Sequence, residues 1–344
     1  MKLSIVILNW NGADMLRRFL PSVIKHSPEA EVIVADNGST DESLKLLAEQ
    51  FPNIRTITFD RNYGFAEGYN KAIAQVDGDL CLLLNSDVRV EAGWLKPMLD
   101  YMEHHPEVAA CQPKIRQECT PDMLEYAGAC GGYIGRLGFP FCRGRILGTL
   151  ERDEGQYDSI ASVAWATGAA LLIRRDVFIE AGGLDARFFA HQEEIDLCWR
   201  LRSRGYGIVC VPQSVVYHVG GGTLPKESPR KAYLNFRNNL LLLYKNLPKK
   251  QFRFVMHCRR LLDAAAALHF LAGGHWAACW AVVRAHLDFF RMHKDFKADR
   301  DRNLAATIVP ANQILSPINL LWQYYARRRH TFSELPLGET KSEK

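Results

Sequence analysis

The sequence predicts an α/β fold, with a mostly parallel central sheet flanked by helices and a helical extension at the C-terminal end. Two observations predict it. Short apolar runs at 3–8, 31–36, 55–59 and 80–84 alternate with stretches of helical length and pattern. Each run also stops abruptly at polar residues, and in an open α/β sheet ligands bind where the strands end. The bulk numbers fit: 344 residues, 48% hydrophobic and 24% charged, with a net charge of +5. That is globular composition, enough for one large or two modest domains. Nine cysteines without a CxxC pair read as reduced thiols rather than a zinc site.

The first strand leads from Met1-Lys2 through Leu3 to Leu8. This run is too short for a signal peptide, so the chain is expected to start in the cytoplasm. Asn9-Trp10-Asn11-Gly12 forms the first loop, and a helix is expected from Ala13 to His26. The loop is rich in Asn, not Gly, so neither a dinucleotide fingerprint nor the Gly-rich loop of a sugar nucleotidyltransferase is present. The second strand ends at Asp36, whose carboxylate can accept from a base or ribose, or else cap the loop. Ser39 and Glu42 have capping-box spacing, which predicts a helix running to about Gln50. After the third strand, Gly64 and Gly68 allow close backbone approach to a ligand. The helix that follows turns its amide end to the same crevice, which favours anions.

Leu80-Cys81-Leu82-Leu83-Leu84-Asn85-Ser86-Asp87 is the central feature. It is one buried strand capped by oxygen-bearing side chains. Such oxygens suit Mg²⁺ or Mn²⁺ carrying a diphosphate; an Asx turn is the simpler reading of the tripeptide taken alone. Together the loops describe a nucleotide pocket closed by a metal site.

Four motifs in order then become specific: Ser4–Gly12, Asp36–Asp41, Asn62–Asn70 and Leu84–Asp87. They resemble glycosyltransferase family 2, most closely its bacterial rhamnosyltransferase and galactofuranosyltransferase-like members, over about residues 3 to 245. The resemblance implies a GT-A fold, a nucleoside-diphosphate sugar donor (dTDP-rhamnose or a UDP-sugar), a divalent metal and inversion at the anomeric carbon. It also implies a nucleobase contact for Asp36 and a metal ligand at Asp87. Asn9, Asn62, Gly64, Asn85, Gly168 and Arg237 complete the expected donor site.

Downstream, a helix is expected over 91–105, and 111–159 is read as a Gly- and Arg-rich insertion beside the acceptor. Gly168-Ala169 precedes an apolar strand and leaves room for a sugar ring. In Gln192-Glu193-Glu194-Ile195-Asp196, three carboxylates open a helix, where the dipole is expected to keep Glu194 ionised. Glu193, Glu194 and Asp196 are the catalytic candidates, with Asp196 also spaced to pair with Arg200. The resemblance assigns the base that deprotonates the acceptor hydroxyl to Glu194, where the family carries Asp, and the usual aromatic two residues before the pair is His191. The extra methylene shifts the carboxylate by roughly 1.5 Å. His218 matches the family's His before a glycine loop and is the second expected metal ligand. The glycines after it are expected to close over the diphosphate.

The organisation expected is a catalytic domain over 1–245, an amphipathic helical region over 246–330 and a disordered tail over 331–344. Phe252, Leu261, Trp276 and Trp280, interleaved with Arg253, Arg260 and Arg284, fit a membrane surface, the chain's own core or a partner subunit such as a second copy. The full expectation is a peripheral enzyme on the inner face of the plasma membrane. It would glycosylate a glycan or polyprenyl-diphosphate-linked acceptor, with no nucleic acid involved. The alternative is a catalytically silent relative that binds nucleotide sugar or scaffolds an assembly complex, motivated by the Glu-Glu pair.

Overall fold

The computed structural model describes residues 1–220 and 228–337. Leu80, Leu82 and Leu84 face one apolar layer, while Cys81 and Leu83 face the other. A strand covered on both faces must be apolar at every position, which is why this run is continuous. The first half runs β1 (Leu3–Asn9), α1 (Ala13–His26), β2 (Ala30–Asp36), α2 (Ser43–Gln50), β3 (Arg55–Thr58), α3 (Gly64–Ile73) and β4 (Leu80–Asn85). Then come β5 (Val88–Val90), α4 (Lys96–His104), β6 (Val108–Gln117), β7 (Gly132–Ile134), β8 (Pro140–Cys142), β9 (Arg145–Ile146), β10 (Thr149–Leu150) and β11 (Ala161–Ser162). Next are β12 (Ala170–Arg174), α5 (Arg175–Glu180), α6 (Glu193–Ser203) and β13 (Gly207–His218). The chain finishes with α7 (Pro229–Asn246), α8 (Lys249–Ala272), α9 (Trp276–Met292), α10 (Lys297–Ala305) and α11 (Ala311–Ile314).

The main sheet has the order β11-β13-β6-β12-β4-β1-β2-β3, with β5 paired to β13. β3, β2, β1 and β4 are mutually parallel, β12 is antiparallel to both neighbours, and β6 and β13 are again parallel. Ile5 and Ile7 pack with Leu16 and Leu20 of α1 and Met98 of α4 on one face. Val6 and Ile33 pack with Tyr69 of α3, and Trp199 of α6 and Leu240–Leu243 of α7 complete that side. Leu240–Leu243 of α7 are all buried, each contributing about 2 kcal/mol, and they bind the helical extension to the sheet domain.

A buried ionic knot joins α6 and α7. Lys245 Nζ lies 2.7 Å from both Asp185 Oδ2 and Asp196 Oδ2, and Arg200 Nε lies 3.0 Å from Asp196 Oδ2. Asn246 Nδ2 donates to Asp196 Oδ1 at 2.9 Å. Removing the shared cation leaves two buried carboxylates short of a partner. Lys245→Ala is therefore expected to cost about 3 kcal/mol, read as a lower urea midpoint at an unchanged slope.

Several expectations need correction. Ser39 and Glu42 form no capping box. Ser39 Oγ accepts from Asn11 N at 2.9 Å, and Asp41 Oδ1 accepts from Ser43 N at 3.0 Å, so the second loop is tied to the first. The helix placed at 91–105 starts only at Lys96, because Trp94 and Leu95 are drawn into the core ahead of it. The 111–159 segment, read as an insertion, is folded into the body of the protein. Arg143 and Arg145 are buried, and β7–β10 form a second small sheet. Lys114, also buried, is held by Asp153 at 2.9 Å and by Asp158. Of the expected disordered tail, residues 331–337 pack onto the small-sheet region, while 338–344 lie outside the described residues. Phe332 stacks on Tyr133 at 5.1 Å, and its backbone N donates to Glu151 Oε1 at 2.8 Å. Gly221, Gly222 and Thr223 of the expected closing loop lie outside the described residues.

Candidate active site

A cleft of about 590 Å³ opens at the carboxyl ends of β1, β2 and β4. Its walls include Trp10, Asn11, Asp41 and Asn62 from the loops, and Ser86 and Asp87 from the end of the central strand. Phe65, Phe189 and Arg230 close the opposite side. Among the expected donor residues, Asn62, Gly64 and Asp87 reach this surface, whereas Asn9, Asp36, Asn85, Gly168 and Arg237 do not line it.

Asn9 and Asp36 lie beneath the loops. They are register partners across β1 and β2 and are fully buried. Asn9 Nδ2 donates to Asp36 Oδ2 at 2.9 Å, and Asp36 Oδ1 accepts from Ser39 N at 2.9 Å. Both carboxylate oxygens are therefore engaged in holding the loop. Asn62 Oδ1 accepts from Gly64 N at 2.7 Å and from Asn37 Nδ2 at 3.1 Å. Gly64 has φ of +80°, and a Cβ there would stand 2.6 Å from the Phe189 ring. Only glycine permits both the backbone conformation and the contact. Asn37, which sequence reasoning passed over, ties this turn together by also accepting from Tyr63 N at 3.0 Å.

At the cleft floor, Asp87 Oδ1 lies 3.1 Å from His218 Nε2. The pairing of β5 with β13 brings them together, with Val88 opposite His218. Glu125 Oε2 stands 3.5 Å from the other ring nitrogen, His218 Nδ1, and Asn85 Nδ2 is 3.3 Å from Nε2. Burial alone would lower the His218 pKa, but the two carboxylates outweigh it and push it up to about 10. Burial likewise opposes ionisation of Asp87 and Glu125, yet His218 holds both below the usual carboxylate range. Glu125 lies in the aperiodic segment, where nothing in the sequence marked it. Among the described residues no cluster of three or more His, Cys, Asp or Glu is arranged to hold a metal. The pair still fits a divalent ion. Asp87 supplies a hard oxygen and His218 an imidazole nitrogen oriented by a carboxylate behind it, while Mg²⁺ and Mn²⁺ sites take further oxygens from substrate and water.

The acidic helix start is reached through a strained turn. Phe189, His191 and Gln192 have φ of 67°, 70° and 74°, which non-glycine residues seldom adopt. The turn persists because α7 over-determines it. Asn238 Nδ2 lies within 3.0 Å of the carbonyls of Phe188, Ala190 and His191. Arg237 Nη2 donates to Phe188 O at 3.0 Å, and its Nε donates to Asn238 Oδ1 at 2.8 Å. This corrects the expectation for Arg237: it is buried and committed to backbone carbonyls and Asn238, and Arg230, about two helical turns earlier, is the arginine at the cleft. Phe189 O in turn accepts from Phe65 N at 2.8 Å, coupling the turn to the first turn of α3.

Glu193 is buried, and Glu194 is half-buried beside Gly168; neither lines the cleft itself. A Cβ on Gly168 would come 2.9 Å from Phe65 Cζ and 3.9 Å from Glu194 Cβ, so this glycine makes the space in which Phe65 and Glu194 lie together. One oxygen of each glutamate is buried without a hydrogen-bond partner. The helix dipole was expected to keep Glu194 ionised. Burial instead dominates and pushes it up to about 7, while burial and the Glu194 charge raise Glu193 well above its ordinary value. Asp196, the third catalytic candidate, is fully buried in the Arg200–Lys245–Asn246 knot and has no oxygen to offer a substrate. His191 is held down to about 4 by burial, so it is neutral.

Comparison with known proteins adds to this geometry. The family model described as Glycosyl transferase family 2 matches residues 4–179. The N-acetylglucosaminyl-diphospho-decaprenol L-rhamnosyltransferase of Mycobacterium tuberculosis is 32% identical over 235 residues, 63% of this chain and 75% of its own. The Staphylococcus aureus TarS 1–349 structure with UDP-GlcNAc aligns at a TM-score of 0.56 and 14% identity, over 89% of both chains. The mannosyltransferase PcManGT of Pyrobaculum calidifontis, solved with GDP-Man and Mn²⁺, aligns at a TM-score of 0.51 and 15% identity, over 89% of this chain and 85% of that one. At these identities the structural likeness speaks for the fold alone.

Proposed function

The chain belongs to glycosyl transferase family 2 and has the GT-A architecture, and from that premise we propose that it transfers a sugar from a nucleoside diphosphate to a hydroxyl of a lipid-linked saccharide, with inversion. The observation that carries the reading is Asp87 on the floor of the cleft, with His218 buried 3.1 Å behind it, and Phe65 on the far wall sharing with Glu194 the space beside Gly168. A rhamnosyl donor and a polyprenyl-diphosphate acceptor are the favoured substrates, by analogy with the M. tuberculosis relative. The favoured site of action is the inner face of the plasma membrane.

In this reading Asn62 and Gly64 shape the donor side, where backbone can approach the nucleotide closely. Asp87 and His218 would hold Mg²⁺ or Mn²⁺, which when bound neutralises charge on the departing diphosphate. Glu125 orients His218 from behind. Arg230 brings a positive charge to the rim, where a diphosphate or anionic acceptor enters. The acceptor hydroxyl lies beside Gly168 and Phe65, and Glu194 takes its proton as it attacks the anomeric carbon. A carboxyl near neutrality is suited to that transfer.

The test is a panel of nucleotide sugars, measured for binding and slow hydrolysis with Mn²⁺, Mg²⁺ or EDTA. One donor binding only with metal and turning over supports transfer and names the sugar. No binding under any condition overturns it in favour of a silent scaffold. Asn238 is predicted to position the base without touching substrate. Asn238→Ala is expected to lower kcat about tenfold with little change in donor KM, and to cost about 2 kcal/mol of stability through three under-satisfied carbonyls.

A further inference from the structure

We propose that the α8–α9 hairpin is an interfacial membrane anchor that seats an anionic bilayer surface beside the mouth of the cleft. Phe254, Leu261 and Leu268 recur every seven residues along α8, and Trp276, Trp280 and Phe290 continue the same surface on α9. All six are exposed, Trp276 at 72% and Leu261 at 68%. The two stripes adjoin, since the Arg260 guanidinium lies 5.2 Å from the Phe290 ring centroid. A stripe of this breadth left open to water marks a surface that something covers.

Charge selects the occupant. From 249 to 294 the chain carries eight Lys and Arg but two acidic residues, Asp263 and Asp288. Asp263 is buried against Arg259 and His286, and Asp288 accepts from Tyr233 and pairs with Arg284 and Arg291, which leaves the other basic residues of the hairpin without an acidic partner on it. Arg253 and Arg260 stand exposed beside the apolar stripe. A second copy would set this basic rim against itself, whereas anionic headgroups complement it. Among the described residues no helix is long and apolar enough to cross a membrane, so the hairpin lies in the interface.

The orientation follows from α7. Arg230 in its first turn lines the cleft, and Tyr233, three residues on, donates to Asp288 Oδ2 at 2.8 Å. Tyr244, later in α7, meets Phe289 and His293. α9 thus runs in the same sense as α7, and its first turns, with Trp276 and Trp280, project past the cleft end of α7. The surface is argued independently of the transfer reading, and failure here leaves donor binding untouched.

The experiment is co-sedimentation of the full chain with vesicles of phosphatidylcholine alone or with about a third phosphatidylglycerol, at low and high salt. Binding to the anionic vesicles only, weakened by salt and at least tenfold weaker in Trp276→Ala/Trp280→Ala, is the expected result. Both tryptophans are exposed, so donor hydrolysis without vesicles and the melting temperature should be unchanged in the variant. Absence of sedimentation, equal binding by the variant, or a solution dimer that the variant splits would each overturn the anchor.

Discussion

Glu194→Gln is expected to reduce sugar transfer by about 10²- to 10⁴-fold while leaving metal-dependent donor binding within twofold of the parent. The amide keeps the shape of the side chain and its place beside Gly168 but cannot take a proton. A variant that loses donor binding together with turnover would instead place Glu194 in the nucleotide site. The same residue sets a pH dependence. Burial raises its pKa from the ordinary carboxylate value to about 7, so the base form and the transfer rate should both rise as pH passes through that region. The sign for stability is opposite. The folded chain binds this proton more tightly than the unfolded chain does, so the stability gained from it is present at low pH and lost as pH climbs from about 4.5 through 7. Glu194→Gln should therefore be more stable than the parent at pH 8, by about 2 kcal/mol, with the gain shrinking toward pH 5. Parallel urea titrations at the two pH values read this directly, and an unchanged difference would show that Glu194 is not the group concerned.

The repeating strand and helix units were legible because local pattern and tertiary role agree there. Leu80–Leu84 reads as a buried strand and is one, and α1 spans the expected Ala13–His26. The Asp196–Arg200 pair followed from helical spacing alone. What local pattern hides is competition between partners. Arg237 carries the charge a diphosphate site wants, but the carbonyls of Arg187 and Phe188, at the entry to the strained turn, claim it. Ser39 has the spacing of a capping box, but the first loop claims its hydroxyl. Glu125 and Asn238 were not found because their significance exists only once β13 and α7 have folded onto elements far away in sequence. Phe332 was read as tail because its partners, Tyr133 and Tyr157, lie in the segment with no discernible period.

Chelation offers the second large effect. With EDTA, or in Asp87→Ala, donor binding is expected to fall at least about 100-fold, because Asp87, just past β4, brings a carboxylate to the cleft floor. The size of the loss at the two neighbouring positions separates a ligand from its support. His218→Ala removes a nitrogen 3.1 Å from Asp87 and should weaken Mn²⁺ binding nearly as much. Glu125→Gln leaves both ligands in place and loosens only the orientation of the ring, so a tenfold loss or less is expected. Mn²⁺ binding followed by electron paramagnetic resonance reads the series without relying on catalysis. If Glu125→Gln proved the most damaging of the three, the ion would sit on the far side of His218, and the donor diphosphate would have to enter from there. If all three bound Mn²⁺ like the parent, the Asp87–His218 contact would be a structural ion pair that closes β5 onto β13. The charge on a departing diphosphate would then have to be met by Arg230 and Arg17, which among the described residues are the cationic side chains lining the same cleft.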